Sequence, residues 1–557
     1  MSMPPSGLAQ KKQAAFDLFT QGRYREAHEA IAGYCAKHPR DLDARGLLGH
    51  CLLRLGQIEE AARCFHALVE RVPGSWRAHA ELAQALHLLG REEEAVARYR
   101  RATELNPRDP SLWDNLGIVL CCQARYEEAI TCHRRAMETT AGFATAHSNL
   151  LLTLHYHPDV QREALFREHL VWGKRHGAPA AAPPHGNSRD PDRRLRIGYL
   201  SRDLRTHSVA YFIEPLLATH DRDRFEVWCY ASPAAGDATA VRLRTLASGW
   251  RELTGHPPAA VARQIRSDGI DILVELGGHT HSDLLLACAH RPAPVQVTYL
   301  GYPDTTGLPA IDYRLVDETT DPAGAEQWCS EALVRLPGCF LCYHPPHNAP
   351  PVEPPPVTRQ DHVTFGSFNN LAKVNDAVVA LWSRLLHVVA GSRLFIKAPS
   401  LDDPATRDRY RGLFADHCVA AERITLRGRA QEVGDHLALY REVDIALDPF
   451  PYNGTTTTCE ALWMGAPVVT LAGMTHAGRV GTSLLKAAGL DEHIATGPEQ
   501  FLDVATRLAT DRERLVALRA SLRERMRASS LCDAERFTRT LEESYRTMWR
   551  RWCTTRP

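Results

Sequence analysis

A chain of 557 residues is longer than one hydrophobic core supports, so several domains are expected. Its 66 basic and 66 acidic residues cancel, which argues against a general nucleic-acid or membrane-surface binder. No apolar run approaches the roughly 18 residues of a membrane span. The opening stretch MSMPPSGLAQKKQAAF has no apolar leader core, and fifteen scattered cysteines form no framework, so a cytoplasmic protein is expected.

The first 140 residues overlay on themselves at a 34-residue shift. Gly22, Gly56 and Gly90 recur at that interval with Ala124 in the fourth slot, and Ala27, Ala61, Ala95 and Ala129 keep step. Pro39, Pro73 and Pro107 close successive units. This is the pattern of tetratricopeptide repeats: helix pairs brought close by small residues and stopped by proline. A fifth unit starts around Phe143 without a recognisable second half, and is expected to cap the array or dock it on the next domain. The repeat domain is read as 1–157 and a linker as 158–190, with its Pro- and Ala-rich part at 179–191.

Short apolar strands then alternate with helix-length segments. The first series is Leu195–Leu200, Phe225–Tyr230, Ile270–Leu276, Val295–Leu300 and Tyr313–Val316. The second is Val363–Phe365, Leu394–Lys397, Ile424–Leu426, Ile445–Leu447 and Val468–Leu471. Alternation of this kind predicts two α/β units with parallel, doubly wound sheets, Rossmann-like lobes with a cleft between them. The lobes are assigned to 191–343 and 361–557, with a Pro-rich linker at 344–360 and a helical tail in the second lobe.

In open α/β sheets, ligands sit beyond the carboxyl ends of the strands. Residues 448–464, DPFPYNGTTTTCEALWM, occupy such a place after Ile445–Leu447. A helix beginning within the threonines offers unpaired N–H groups to a phosphate, and Gly454 lets the backbone come close. The same threonines also fit plain helix capping, with Thr457 and Glu460 as a capping box, and the two readings are compatible. No GxGxxG follows a strand, and Gly473–Gly478 has P-loop spacing but continues with Arg479-Val480. The Asp190/Asp192 and Asp221/Asp223 pairs end no apolar strand and read as solvated turns, so no metal site is expected there. A diphosphate would then need a cation from the protein, and Lys373 lies at the right sheet edge. In the first lobe, His207, His279 and His281 follow strands and offer a general base near neutral pH. Cys339, Cys342, His344 and His347 have zinc-like spacing, but buried strand-end packing is the expectation.

The blocks HRPAPVQVTYLGYPDTTG (290–307), FGSFNNLAKVN (365–375) and DPFPYNGTTTTCEALWMGAPVVTLAG (448–473) resemble the O-linked N-acetylglucosamine transferase family. The resemblance runs over nearly the whole chain, and the short repeat array is similar to that of bacterial members. It implies a GT-B glycosyltransferase that moves a sugar from a UDP-sugar to Ser or Thr hydroxyls of proteins, with inversion and no metal or other cofactor. It gives Lys373 the donor diphosphate and His207 the place of a proposed catalytic base. Asn370, Asn453, Gly454, Thr455, Thr456, Thr457 and Glu460 fall to donor binding, with Glu460 on the ribose. His436 falls beside base and ribose, and Ala430 and Gln431 present backbone to the base. Leu300, Gly301, Tyr302 and Pro303 form the loop under the sugar, with Tyr452 close to it. Implied partners are the nucleotide sugar and protein or peptide acceptors held by the repeats, not nucleic acid or membrane. SFNNLAK and the Tyr452 stretch also resemble plant SPINDLY proteins, which use GDP-fucose. A GDP-fucose O-fucosyltransferase, or a nucleotide-binding scaffold without turnover, are the competing readings.

Overall fold

The computed structural model describes residues 7–140, 142–177, 184–232 and 236–555. The chain divides into two compact units, Met1–Ala141 with Pro399–Tyr410, and Gly142–Ala398 with Arg411–Pro557.

In the first unit the repeats are helix pairs: Gly7–Thr20 with Tyr24–Lys37, Leu42–Arg54 with Ile58–Arg71, Trp76–Leu88 with Glu92–Leu105, and Pro110–Cys122 with Tyr126–Thr139. Ala27, Ala61, Ala95 and Ala129 are fully buried where helices touch. Asp41, Ser75 and Asp109 cap the helices that follow them by accepting from the N–H of Ala44, Ala78 and Ser111. Gly22, Gly56 and Gly90 make the turns inside the pairs at φ 77°, 76° and 76°. Only glycine takes this left-handed conformation without strain.

The second unit carries two parallel sheets. The first lobe contains β1 (Leu195–Ser201), β2 (Phe225–Ala231), β3 (Gly249–Glu252), β4 (Ile272–Glu275), β5 (Val295–Thr298), β6 (Tyr313–Asp317) and β7 (Ala332–Leu336), in the spatial order β3-β2-β1-β4-β5-β6-β7. The second contains β8 (Thr364–Ser367), β9 (Arg393–Lys397), β10 (Ile424–Arg427), β11 (Ile445–Leu447), β12 (Val468–Leu471) and β13 (Ile494–Ala495), in the order β10-β9-β8-β11-β12-β13. The strand order reverses between β1 and β4 and between β8 and β11, which opens a crevice at those carboxyl ends. The ten expected strands are present. The three unforeseen ones, β3, β7 and β13, lie at sheet edges, where strands are partly exposed, and β3 and β13 also lack an apolar run.

Two expectations about boundaries change. Residues 162–176 of the expected linker form a helix, Arg162–His176, which pairs with Ala144–Tyr156 and supplies the fifth unit's second half. Both helices dock on the first lobe: Leu151, Leu165 and Trp172 share one buried cluster with Leu273, Leu285 and Leu308. Residues 178–183 of the Pro- and Ala-rich stretch lie outside the described residues. The tail does not stay on the second lobe. Its last helix, Ala534–Thr554, returns to the first lobe, where Glu542 accepts from His220 Nδ1 at 2.8 Å and Tyr545 meets the Tyr199 hydroxyl at 3.3 Å. Asp190 and Asp221 cap their own turns through the N–H of Asp192 and Asp223. Cys339 and Cys342 are buried, while His344 and His347 meet each other at 3.4 Å near the surface, so the four form no common ligand set. Among the described residues no helix is long and apolar enough to cross a membrane.

Ala124 occupies the fourth turn at φ 58°, a conformation that strains any residue with a Cβ. Ala124→Gly should therefore stabilise the chain by about 0.5–1 kcal/mol after the added unfolded-state entropy of glycine is subtracted. Denaturant unfolding checks this, and a lowered midpoint would contradict the strain argument.

Candidate functional site

The loop after β11 is held by a buried carboxylate. Asp448 Oδ1 accepts from the Gly454 N–H at 2.6 Å, and Oδ2 accepts from the Thr470 hydroxyl at 2.6 Å. Asn453 tightens the same loop: its amide donates to Pro449 O at 2.9 Å, and its Oδ1 accepts from Gly481 N at 3.2 Å. Its side chain is thus fully buried and committed to the loop, not free for a ligand as expected. A Cβ on Gly454 would lie 2.6 Å from Thr457 Oγ1 and 2.9 Å from Asn369 Oδ1.

The helix Thr456–Trp463 starts where this loop ends, with Thr455 at its N-cap. The capping box does not form. Thr455 makes no side-chain cap, Thr457 donates to Asn369 Oδ1 at 2.9 Å, and Glu460 pairs with His436 Nε2 at 3.0 Å. The backbone N–H groups of Thr456, Thr457 and Thr458 therefore have no partner among the described residues. They stand at the positive end of the helix dipole, an anion site by construction.

Lys373 lies in the segment that follows the neighbouring strand β8. Asn370 caps a short turn over Leu371–Lys373 by accepting from Ala372 N at 3.0 Å. The Lys373 ammonium donates to Asn453 O at 2.7 Å and lies 4.3 Å from the centre of the Tyr452 ring. That ring stacks on Tyr156 at 4.9 Å. Burial pushes the Lys373 ammonium down and the Asp448 carboxyl up, and their mutual attraction opposes both shifts.

A cavity of about 290 Å³ collects these groups with the rim of the first lobe. Ten of the expected residues line it: His207, Leu300, Gly301, Pro303, Asn370, Lys373, Tyr452, Thr455, Thr456 and Thr457. Leu300 adopts φ 76°, which stores strain of order 1–3 kcal/mol in the loop after β5. Gly301 passes so close to Leu276 that a Cβ would lie 2.0 Å from its carbonyl oxygen.

Tyr302 points the other way. Its buried hydroxyl lies 2.6 Å from His169 Nε2 and 3.1 Å from His155 Nε2. With Asp304, these histidines are the only described residues grouped closely enough to share an ion. The hydrogen bonds account for His169 and the Tyr302 hydroxyl, whereas His155 Nδ1 is buried without a partner among the described residues. His169 Nδ1–H donates to Leu165 O at 2.8 Å, so its Nε2 accepts from Tyr302, whose oxygen accepts from His155. Burial pushes both imidazoles down, His155 to about 3.

The candidate histidines separate. His279 is buried between Ser148 and Thr306 O, each at 2.9 Å, and does not reach the cleft. His281 holds Asp203 at 2.8 Å. His207 lies farther from that carboxylate, at 3.7 Å, and its Nδ1 accepts from the Val209 N–H at 3.3 Å. Burial pushes its pKa down, with Asp203 opposing.

Glu460, His436 and Lys397 form a chain outside the cavity lining. Lys397 Nζ donates to His436 Nδ1 at 2.9 Å, which leaves Nε2–H for Glu460. Ala430 and Gln431 lie in the loop between β10 and the helix Val433–Ala438. Asp448, Asn369, Lys397 and His476 were not singled out from sequence. Each lies at or just beyond the carboxyl end of a strand, and that position was the available signal.

The description glycosyl transferase family 41 matches residues 177–346 and 357–541, and tetratricopeptide-repeat descriptions match 18–75, 52–110 and 99–131. The chain is 44% identical over 413 residues to SPINDLY of Petunia hybrida, named a probable UDP-N-acetylglucosamine–peptide N-acetylglucosaminyltransferase; this covers 73% of the chain and 44% of the relative. SEC of Arabidopsis thaliana, which carries the same enzyme name, is 33% identical over 65% of this chain and 38% of its own length. The solved structure of an O-GlcNAc transferase mutant of Thermobaculum terrenum superposes with a TM-score of 0.85 at 38% identity, over 92% of this chain and 98% of that one. The chain spans less than half the length of these plant relatives.

Gly454→Ala should cost about 1–3 kcal/mol, because Thr457 and Asn369 must move to admit the methyl group. A variant with an unchanged denaturation midpoint would contradict the close approach.

Proposed function

The chain belongs to glycosyl transferase family 41, and from that membership and the cleft we propose that it transfers a sugar from a UDP-sugar to Ser and Thr hydroxyls of proteins. N-acetylglucosamine is the favoured sugar, and the transfer inverts the anomeric centre and needs no metal. The observation that carries this reading is the run of unpartnered N–H groups on Thr456–Thr458, of which Thr456 and Thr457 line the same cavity as Lys373. The helix end takes the diphosphate, and the lysine neutralises charge as the diphosphate departs. A single ammonium plus oriented amides supplies what a divalent cation supplies elsewhere.

The remaining roles follow the family resemblance. Glu460, held by His436, takes the ribose diol, and the backbone of Ala430 and Gln431 faces the base. Leu300, Gly301 and Pro303 support the sugar, and the acceptor hydroxyl attacks from the side opposite the diphosphate. The acceptor polypeptide is held by the repeats, where Phe16, Phe19 and Leu42 line an open groove flanked by Lys12 and Arg77. All fifteen cysteines are free, which supports a cytoplasmic setting.

One observation favours a second donor. Tyr452 presents a large ring at the sugar end of the cavity, clamped between Tyr156 and Lys373. That bulk suits a sugar without an N-acetyl group, as in GDP-fucose. Calorimetric titration of UDP against GDP decides between them: tighter UDP binding supports the first donor, and tighter GDP binding overturns it.

Lys373→Ala should lower kcat by roughly 30- to 1,000-fold, a loss of about 2–4 kcal/mol, because the lysine's interaction grows as leaving-group charge develops. Nucleotide affinity should fall much less. Near-normal transfer would refute the lysine's role, and a wild-type chain that binds nucleotide without transferring sugar would point to a scaffold. Transfer should persist in EDTA, and a strict requirement for an added divalent cation would contradict the metal-free reading.

A further inference from the structure

His476 comes from the loop after β12 and lines the same cavity as Lys373 and Thr455–Thr457, yet donor binding leaves it without a role. Its Nδ1 donates to Asp321 Oδ2 at 2.5 Å, a carboxylate from the first lobe. The ring is only 4% exposed, packed edge-on against Phe340 at 4.8 Å, and its Nε2 has no partner among the described residues. Asp321 is itself buried, with Arg314 at 3.5 Å and Arg162 at 3.7 Å. Burial alone would push this carboxyl up. Arg314 and then His476 outweigh that and hold it well below the usual range, so it remains a carboxylate.

The tautomer follows from these contacts. A carboxylate only accepts, so Nδ1 carries a proton, and the tautomer this selects has its lone pair on Nε2. His207 is arranged the other way: its Nδ1 accepts from Val209 N, which leaves the proton on Nε2. His207 is also 40% exposed, so its ring is less fixed.

Resting on the transferase reading, we propose that His476 is the general base of the reaction and Asp321 its positioning residue. The acceptor hydroxyl gives its proton to His476 Nε2 as its oxygen bonds to the anomeric carbon. The bond from that carbon to the diphosphate breaks with its electron pair on the diphosphate, where Lys373 meets the charge. Asp321 stabilises the imidazolium and keeps the ring in register. The carboxylate and the histidine come from different lobes, so the base is assembled only when the cleft is formed.

The groups facing His476 are Asp321 and, behind it, Arg314 on β6 and Arg162 on the helix Arg162–His176. Arg479 on its own loop donates to Thr319 O at 2.5 Å and Lys373 lies across the cavity. The reaction needs the Nε2 lone pair of His476 free to accept a proton, so kcat/KM should show an acidic limb that depends on this residue. The test uses the full chain, UDP-N-acetylglucosamine and a Ser/Thr peptide. His476→Gln should lower kcat by about 100-fold or more and abolish the acidic limb of the kcat/KM profile, with UDP affinity by calorimetry changed less than about threefold. Asp321→Asn should lower kcat and alter that limb while leaving KM for the donor in place.

An acidic limb that survives in His476→Gln, or losses in both variants that track UDP affinity as a mere inter-lobe latch would, overturn the proposal and leave the transferase reading intact. A wild-type chain that transfers no sugar overturns both.

Discussion

The buried carboxylate of Asp448 is the constraint on which the site depends. It ends β11 and gathers the Gly454 N–H and the Thr470 hydroxyl, which bends the following loop back over the sheet. Gly454 leaves no room for a Cβ between Thr457 and Asn369, and the Thr457 hydroxyl donates to Asn369 Oδ1 instead of capping the helix. The first N–H groups of that helix are left open toward the cleft. Lys373 reaches the same loop by donating to Asn453 O. An acid and a base are thus buried near each other, where burial opposes the charge on each and their attraction offsets it.

The repeats' fifth unit enters the chemistry from outside the sheets. Its helices Ala144–Tyr156 and Arg162–His176 fill the first lobe's surface with Leu151, Leu165 and Trp172. They also supply side chains to the cleft's supports: Tyr156 under Tyr452, and His155 and His169 around the Tyr302 hydroxyl. The strained Leu300 and the close-packed Gly301 thus rest on a buried polar network rather than on apolar filling. Removing one member would leave a buried polar group unsatisfied, which is why such networks hold a loop in one conformation.

Much of this was legible in the residues. The 34-residue period located the first four repeat helix pairs, because small residues and prolines at fixed intervals have few other causes, but it did not reach the fifth unit's second helix, Arg162–His176. The central strands were legible as apolar runs, and the strand-end rule brought Lys373 and the threonines to one cleft. What stayed hidden depends on tertiary contacts. The edge strands β3 and β13 lack an apolar run, β7 is interrupted by Arg335, and the helix Ala534–Thr554 reads the same whichever lobe it covers. Asn453 resembled a ligand donor until its amide was found spent on Pro449 and Gly481. The Thr457–Glu460 spacing fits a capping box, but His436, 24 residues earlier, competes for the same carboxylate. His279 and His476 look alike in sequence, and only their partners, Ser148 and Thr306 for one and Asp321 for the other, tell them apart.

The central claim is that the open helix end beside Lys373 is a diphosphate site. Calorimetric titration of the full chain with uridine, UMP and UDP tests it most directly. The account predicts that the second phosphate adds about 100-fold or more in affinity, the worth of two charge-assisted hydrogen bonds. UMP binding as tightly as UDP would contradict it.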